Sequence, residues 1–449
     1  MKRIYSILTG LVLGLLLVFG IVALFSPKAS GKKPTLSFSG LMNGSYFSGY
    51  RSYYSAAFSD NKTLKNANTK LNGFYHYSGS GDDVSLIIKV NGGAANGGEA
   101  LKPTEGATTQ PTEPDSNATT DPSTPTEPVT AEPTQATERV DNNNVVAEDL
   151  GQALLVGDRA IEVPYANYDV MESYSDAVTS IATALGKDVR TFNILVPNGA
   201  EFYAPNDYHT GDSSQSKMIG FCYEKLGSNV KTVDAYAKLA AHTEEYLYFR
   251  TDHHWTQLGA YYAYAAFCES AGFTAADLSR FEKGQYDNFL GSMYNYLSGY
   301  PQAAVLANHP DTLYYYRPYV DTDTGYYEDA TLSNEIPMGC ISYIGSDVSN
   351  KYLTFLGGDH PVTIINTDVE GPVCMLIKES YGNAFAPWLT SHYSKIIAID
   401  PREFNRDGKP DLDLVSFAKE QGVDDCIILD YPMMLSSESY VAWLNRLVE

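Results

Sequence analysis

Two short stretches hold residue types suited to nucleophilic catalysis. One is Arg250-Thr251-Asp252-His253-His254-Trp255-Thr256, immediately before a helix-like run. The other is Lys378-Glu379-Ser380-Tyr381-Gly382-Asn383, immediately after the apolar run PVCMLI (372–377) and before a second helix-like run. A Ser on a tight strand-to-helix turn exposes its hydroxyl at the carboxyl end of a sheet, where open α/β folds bind ligands. It also lies beside the free N–H groups of a helix start, which can stabilise a developing oxyanion. Serine needs a base to take its proton, and histidine is the side chain suited to that near neutrality. The base in turn needs a partner that fixes its tautomer. Asp252 stands two residues before His254, within reach across a turn. Asp252, His254 and Ser380 are thus a complete orienter, base and nucleophile. Spacing alone leaves the plainer reading open, in which Ser380 is a turn residue or a helix cap.

Asp-His-His also suggests a metal. Dinuclear sites draw on several further Asp or His at matched positions, whereas His209, His242, His309, His360 and His392 are scattered. Adjacent residues also tend to point apart. No metal and no cofactor are expected. His253 reads as a packed or hydrogen-bonded side chain, and Trp255 as packing that holds the motif. Pro387 fits a helix that begins near Asn383 or Ala384, because it then falls in the first turn, whose N–H groups lack intrahelical partners.

The surrounding pattern supplies elements to position these residues. Apolar positions at Val170, Met171, Tyr174, Val178, Ile181 and Leu185 follow helical spacing. Further helix-like stretches cover about 212–227, 256–271 and DLDLVSFAKEQG, and strand-like runs are TFNILVPN (191–198) and VKTVDAY (230–236). PVCMLI, KIIAI (395–399) and DCIIL (425–429) are continuous apolar runs of strand length, as in buried parallel strands. TLYYYRPYV, NKYLTFLGG and HPVTIINTD, within 312–368, resemble short antiparallel strands of a β-rich insertion. The fold class expected is α/β, with a mostly parallel sheet flanked by helices.

The whole chain sets outer bounds. Its 449 residues are enough for one large domain or two ordinary ones, and 44% hydrophobic content supports a sizeable core. With 31 Lys and Arg against 54 Asp and Glu, the net charge is −23. A nucleic-acid binder needs a basic face, so no nucleic-acid partner is expected. The five Cys are dispersed without a CxxC pair, which argues for buried free thiols over a disulfide framework or a zinc site. The 35 Tyr suit sugar-binding clefts and ordinary cores alike.

Ile4 to Phe25 is a run of 22 uncharged residues after Lys2 and Arg3. That length spans a bilayer as a helix and exceeds the apolar region of a cleaved signal peptide. Residues 1–25 are therefore read as a signal anchor, with the remainder outside the cytoplasm. Residues 26–80 are expected to form juxtamembrane helices. Residues 99–145 are expected to be a disordered Pro/Thr-rich acidic insertion; 99–139 alone hold seven Pro and eleven Thr, with eight acids against two bases. The catalytic domain is expected over 146–449.

The motifs TDHHWTQLGAYYAY (251–264), FLGSMYN (289–295), KESYGNAFAPWL (378–389) and KIIAIDPREF (395–404) resemble the DHHW protein family. More distantly they resemble the SGNH-hydrolase-like acetyltransferases that O-acetylate alginate. The resemblance implies an SGNH-like catalytic domain whose triad is Asp252, His254 and Ser380. Glu379 stands where an Asp is the commoner form. SGNH oxyanion holes use the Ser N–H, a Gly N–H and an Asn side chain; Gly291 and Asn383 are candidates, with Tyr381 beside them, and Asn383 fits a helix N-cap equally well. The implied activity is transfer of acetyl groups to a cell-surface or extracellular polysaccharide through an acetyl-serine intermediate. The implied partner is a multipass membrane-bound O-acyltransferase as acetyl donor. A carbohydrate esterase with the same triad and a catalytically silent polysaccharide-binding scaffold are the alternatives.

Overall fold

The computed structural model describes residue 142 and residues 144–449 except 151 and 152. The expected anchor (1–25), the juxtamembrane helices (26–80), the strand-like SLIIKV and nearly all of the Pro/Thr-rich insertion (99–145) lie outside the described residues. Among the described residues no helix is long and apolar enough to cross a membrane.

The described chain opens with a small antiparallel sheet of β1 (Glu148–Asp149), β2 (Leu154–Val156) and β3 (Arg159–Ile161). Helix α1 (Tyr168–Leu185) and strand β4 (Arg190–Leu195) follow, then α2 (Ala200–Tyr203), α3 (Gln215–Lys225), β5 (Val230–Val233), α4 (Ala235–Ala240) and α5 (Gln257–Ala271). The middle holds β6 (Glu282–Phe289), α6 (Ser292–Tyr296), α7 (Ala303–Asn308), β7 (Asp311–Arg317), β8 (Thr322–Tyr327) and β9 (Ile336–Met338). The last part is β10 (Val362–Thr367), β11 (Val373–Lys378), α8 (Tyr381–Leu389), β12 (Lys395–Ile399), α9 (Leu414–Gln421), β13 (Asp425–Asp430), α10 (Pro432–Leu435) and α11 (Glu438–Asn445).

The fold is mixed α/β around one eight-stranded sheet, ordered β5-β4-β13-β11-β12-β10-β8-β9. The first five strands run parallel, and β10, β8 and β9 continue the sheet antiparallel from β12. The apolar runs sit at its centre because both faces are covered. On β11, Cys374 and Leu376 join a core shared with α5 and α8, while Met375 and Ile377 join the opposite core under α1, α3, α9 and α11. This alternation is the two-residue period of a strand. All five cysteines are buried free thiols, as their apolar surroundings in the sequence suggest.

Three expectations are corrected. The β-rich stretch is not a separate insertion: β8, β9 and β10 extend the main sheet, and β7 pairs with β6. NKYLTFLGG is not a strand. The Asn350 side chain accepts from the Tyr352 N–H to start a 3-10 turn over Lys351–Thr354. Leu356, Gly357 and Gly358 then take φ of 55°, 68° and 109°, left-handed conformations no strand can hold. Helix α8 begins at Tyr381 rather than near Asn383, so Pro387 lies inside it and not in its first turn. The missing proline N–H leaves the Asn383 carbonyl without its usual partner four residues on.

Candidate active site

The Arg250–Thr256 stretch is a loop clamped at both ends. Thr256 donates its N–H to the Leu247 carbonyl at 2.8 Å and its hydroxyl to the Tyr246 carbonyl at 2.7 Å. The same hydroxyl accepts from the Gly259 N–H and caps α5. From the other side, the buried Asp311 carboxylate at the start of β7 accepts the Thr251 N–H (2.8 Å), the Thr251 hydroxyl (2.6 Å), the Arg250 N–H (3.0 Å) and the Tyr246 hydroxyl. Trp255 is fully buried and its indole N–H donates to the Tyr381 carbonyl at 3.0 Å. It therefore does pack, and it ties this loop to the Ser380 turn.

The turn itself follows β11 directly. Ser380 is the N-cap residue of α8 but makes no side-chain capping bond, which leaves its hydroxyl available. His254 Nε2 lies 2.7 Å from Ser380 Oγ, and His254 Nδ1 lies 2.6 Å from Asp252 Oδ1. Asp252 Oδ1 also accepts the His254 N–H at 2.9 Å, and Oδ2 accepts the Ser292 N–H at 2.8 Å. With Nδ1–H directed at the carboxylate, Nε2 is left to accept from Ser380. Three residues from two loops 126 positions apart thus form one hydrogen-bonded chain. Burial pushes the Asp252 carboxyl up, but the charges of His254 and His253 with the His254 and Ser292 hydrogen bonds outweigh it and hold the group well below the usual range.

The fit is close. A Cβ at Gly291 would collide with the Asp252 side chain, so only glycine admits Asp252 there. His253 hydrogen-bonds to the Ser292 hydroxyl through Nδ1 and its backbone N–H, in keeping with a packed role. Asp252, His253 and His254 bring possible ligand atoms within 4.8 Å of one another. The Asp252 oxygens and His254 ring nitrogens are, however, all engaged in the chain just described. A small cavity of about 10 Å³, room for about one water, borders these residues and the fully buried Glu162, whose carboxyl is raised by burial.

The expected oxyanion groups are placed less favourably. The Gly291 N–H donates to the Thr251 hydroxyl at 3.1 Å, and the Tyr381 N–H donates to Glu379 Oε2 at 2.9 Å, so neither is free to receive an oxyanion. Asn383 is not a helix N-cap. It lies inside α8, and its Nδ2 donates to Asp359 Oδ1 at 2.7 Å. The Tyr381 hydroxyl donates to the His253 carbonyl at 2.7 Å, a bracing role. Ser380's own N–H has no acceptor among the described residues.

Several neighbours complete the site. Glu379 is 1% exposed; its Oε2 lies 3.2 Å from Ser380 Oγ and its Oε1 has no partner. Burial pushes this carboxyl up to about 8 against the pull of the Tyr381 N–H, with Asp430 raising it further. Asp359 accepts from Lys378 Nζ at 2.9 Å and from Arg402 at 2.5 Å. Burial raises its carboxyl, but these two cations outweigh that and hold it far below the usual range. Tyr352 stacks on His254. A lone Asp or Tyr distant in sequence, as Asp359 and Tyr352 are, offers no pattern from which these contacts can be read.

A family model described as "DHHW protein" matches residues 115–399. The chain belongs to the DHHW family. A DHHW family protein from Eubacterium siraeum is 30% identical to it, over 68% of this chain and 99% of that one, with a TM-score of 0.59. PatB1 of Bacillus cereus, solved with a sulfonyl adduct, aligns over 66% of this DHHW chain and 100% of its own at 16% identity, with a TM-score of 0.51. The O-acetyltransferase domain of Pseudomonas putida AlgJ aligns over 67% and 98% at 14% identity, with a TM-score of 0.36. No curated protein matches the chain.

Proposed function

We propose that this DHHW protein is a serine-dependent, SGNH-like O-acetyltransferase that acetylates hydroxyls of an extracytoplasmic polysaccharide. The observation that carries the reading is the Asp252–His254–Ser380 chain, with links of 2.6 and 2.7 Å. The resemblance of its motifs to alginate-type acetyltransferases supports acetyl as the group and a glycan as the acceptor. The apolar run over 4–25 supports a membrane-anchored protein with its catalytic part outside.

His254 Nε2 takes the Ser380 proton as Oγ attacks the donor's acetyl carbon. The tetrahedral oxyanion is held by the Ser380 N–H at the start of α8. His254 then returns the proton to the departing donor oxygen, leaving acetyl-Ser380. A sugar hydroxyl attacks that ester, gives its proton to His254, and Ser380 Oγ leaves and regains it. Asp252 stays ionised throughout and stabilises the imidazolium. The sequence shows no acyl-CoA motif, so an external donor is needed, and a membrane-bound O-acyltransferase fits that need.

The test incubates the full chain with a chromogenic acetyl ester and an oligosaccharide. Wild type is expected to yield acetylated oligosaccharide, and Ser380→Ala to lose the rate by about 10³-fold or more. A sulfonyl fluoride is expected to label Ser380. Acetate as sole product with acceptor present replaces the reading with a carbohydrate esterase. Full transfer by Ser380→Ala overturns it. Glycan binding without turnover or labelling points to the silent scaffold.

A further inference from the structure

Residues 339–361 join β9 to β10 without a strand of their own. The segment doubles back on itself: the Ser342 N–H donates to the Thr354 carbonyl at 2.7 Å, and the Thr354 hydroxyl donates to the Ser342 carbonyl at 2.8 Å. The left-handed residues from Leu356 onward turn the chain away toward β10. This folded loop drives Tyr352 inward, 4% exposed, against both halves of the site. Its ring lies on the His254 imidazole with centroids 3.8 Å apart and planes 9° from parallel. Its hydroxyl donates to the Ser380 carbonyl at 3.2 Å. Phe355 and Phe249 brace the ring edge-on, at 5.1 and 6.3 Å. The His253 ring also lies against His254, at 3.8 Å and 37°.

We propose that Tyr352 is a positioning residue that locks the His254 imidazole plane through its ring and the Ser380 turn through its hydroxyl. The inference rests on the reading of Ser380 as nucleophile. Asp252 and Ser380 hold His254 at its two nitrogens, and bonds lying in the ring plane leave the imidazole free to roll about the line that joins them. A flat ring at stacking distance removes that freedom. The same aromatic face carries negative potential, which suits the imidazolium that forms when Ser380 is deprotonated. Burial first, then the charges of Asp252, Glu379 and Asp359, keep the phenol protonated, so the hydroxyl remains a donor. One side chain therefore couples two loops that share no backbone hydrogen bond across Tyr352 itself, and the coupling acts on reactivity rather than on substrate binding.

The experiment uses full-length Tyr352→Phe and Tyr352→Leu, with Ser380→Ala as control. It reads kcat and KM on the chromogenic acetyl ester, the rate of Ser380 labelling by a sulfonyl fluoride, and the NMR shifts of the His254 ring protons. Tyr352→Phe keeps the ring and loses one hydrogen bond; kcat is expected to fall about 2–10-fold. Tyr352→Leu is expected to lose about 10² in kcat and labelling rate, with KM near wild type. His254 ring protons are expected upfield in wild type and Tyr352→Phe and back near random-coil positions in Tyr352→Leu. Wild-type reactivity in Tyr352→Leu, or a Tyr352→Phe as inactive as Tyr352→Leu, overturns the proposal. So does an unshifted His254 signal in wild type, which needs no variant to fold. Turnover or labelling that persists in Ser380→Ala instead removes the nucleophile reading, while the His254 shifts still report on the stacking.

Discussion

Ser380 Oγ has two acceptors within reach: His254 Nε2 at 2.7 Å and Glu379 Oε2 at 3.2 Å. In the proposed mechanism only the first leads to catalysis, because a proton held by Glu379 is not taken by the base. The balance depends on the charge of Glu379. Burial pushes that carboxyl up to about 8, so it is mostly neutral near pH 7 and competes weakly there for the hydroxyl proton. Above about pH 8 it ionises, and a carboxylate accepts hydrogen bonds more strongly than a neutral acid. Activity of the wild type is therefore expected to fall on the alkaline side with a midpoint near pH 8. Glu379→Gln, which keeps an acceptor for the Tyr381 N–H but cannot ionise, is expected to lose that alkaline fall while retaining activity at pH 7. The check is the pH dependence of labelling rate in both proteins. An alkaline fall that persists unchanged in Glu379→Gln assigns it to some other group.

At the scale of elements, the site is a meeting of two turns, and what holds the Arg250–Thr251 end of the first is one carboxylate. Asp311 satisfies two backbone N–H groups and a hydroxyl of the Arg250–Thr251 corner from the start of β7. Asp311→Ala strands those donors in a buried place, at about 1–3 kcal/mol each, and frees the corner that carries Asp252. The expected result is a loss of at least about 3 kcal/mol in urea unfolding and about 10²-fold in Ser380 labelling. Labelling at the wild-type rate would show that the corner is held without Asp311. None of this was legible in the sequence, where Asp311 is one acid ahead of a Tyr-rich strand. What was legible follows from periodicity and local chemistry. The buried runs at 373–378, 395–399 and 425–430 are strands because every residue in them can face a core. The helix over Tyr168–Leu185 shows its apolar stripe directly. The Asp252–His254–Ser380 hydrogen-bonded chain was legible because an orienter, a base and a nucleophile would each demand a fixed residue type beside a strand-to-helix turn. The oxyanion groups were not, because the use of a backbone N–H depends on partners such as Glu379 and Thr251 that lie across the turn. NKYLTFLGG misled because its apolar residues fit a strand, while Asn350 and the left-handed residues from Leu356 decide the backbone.

For the whole molecule, buried acids of opposite kinds set how stability varies with pH. Glu379 is raised from an ordinary 4.5 to about 8 and Asp430 from 3.8 to about 6, in both cases chiefly by burial. Each binds its proton more tightly folded than unfolded. The stability they contribute is complete below their ordinary values and is lost as pH rises through the folded ones. Asp252 and Asp359 act the other way: both are held low, so their contribution is present above about pH 4 and is lost as pH falls below it. The net charge adds to the first trend. The chain is neutral near its pI of about 4.7 and reaches −23 at pH 7, and self-repulsion of that size loosens a compact state. Thermal stability is therefore expected to peak near pH 5 and to decline steadily toward pH 8. Full-length protein followed by calorimetry in low-salt buffers measures this. Added salt is expected to flatten the part due to net charge, since exposed charges are screened within about 10 Å at 0.1 M, and to leave the part due to the buried acids. Glu379→Gln is expected to flatten the salt-resistant part, because an amide has no proton to lose. A melting temperature that rises from pH 5 to pH 8, or a decline that salt abolishes altogether, contradicts the picture of neutral carboxyls packed behind Ser380.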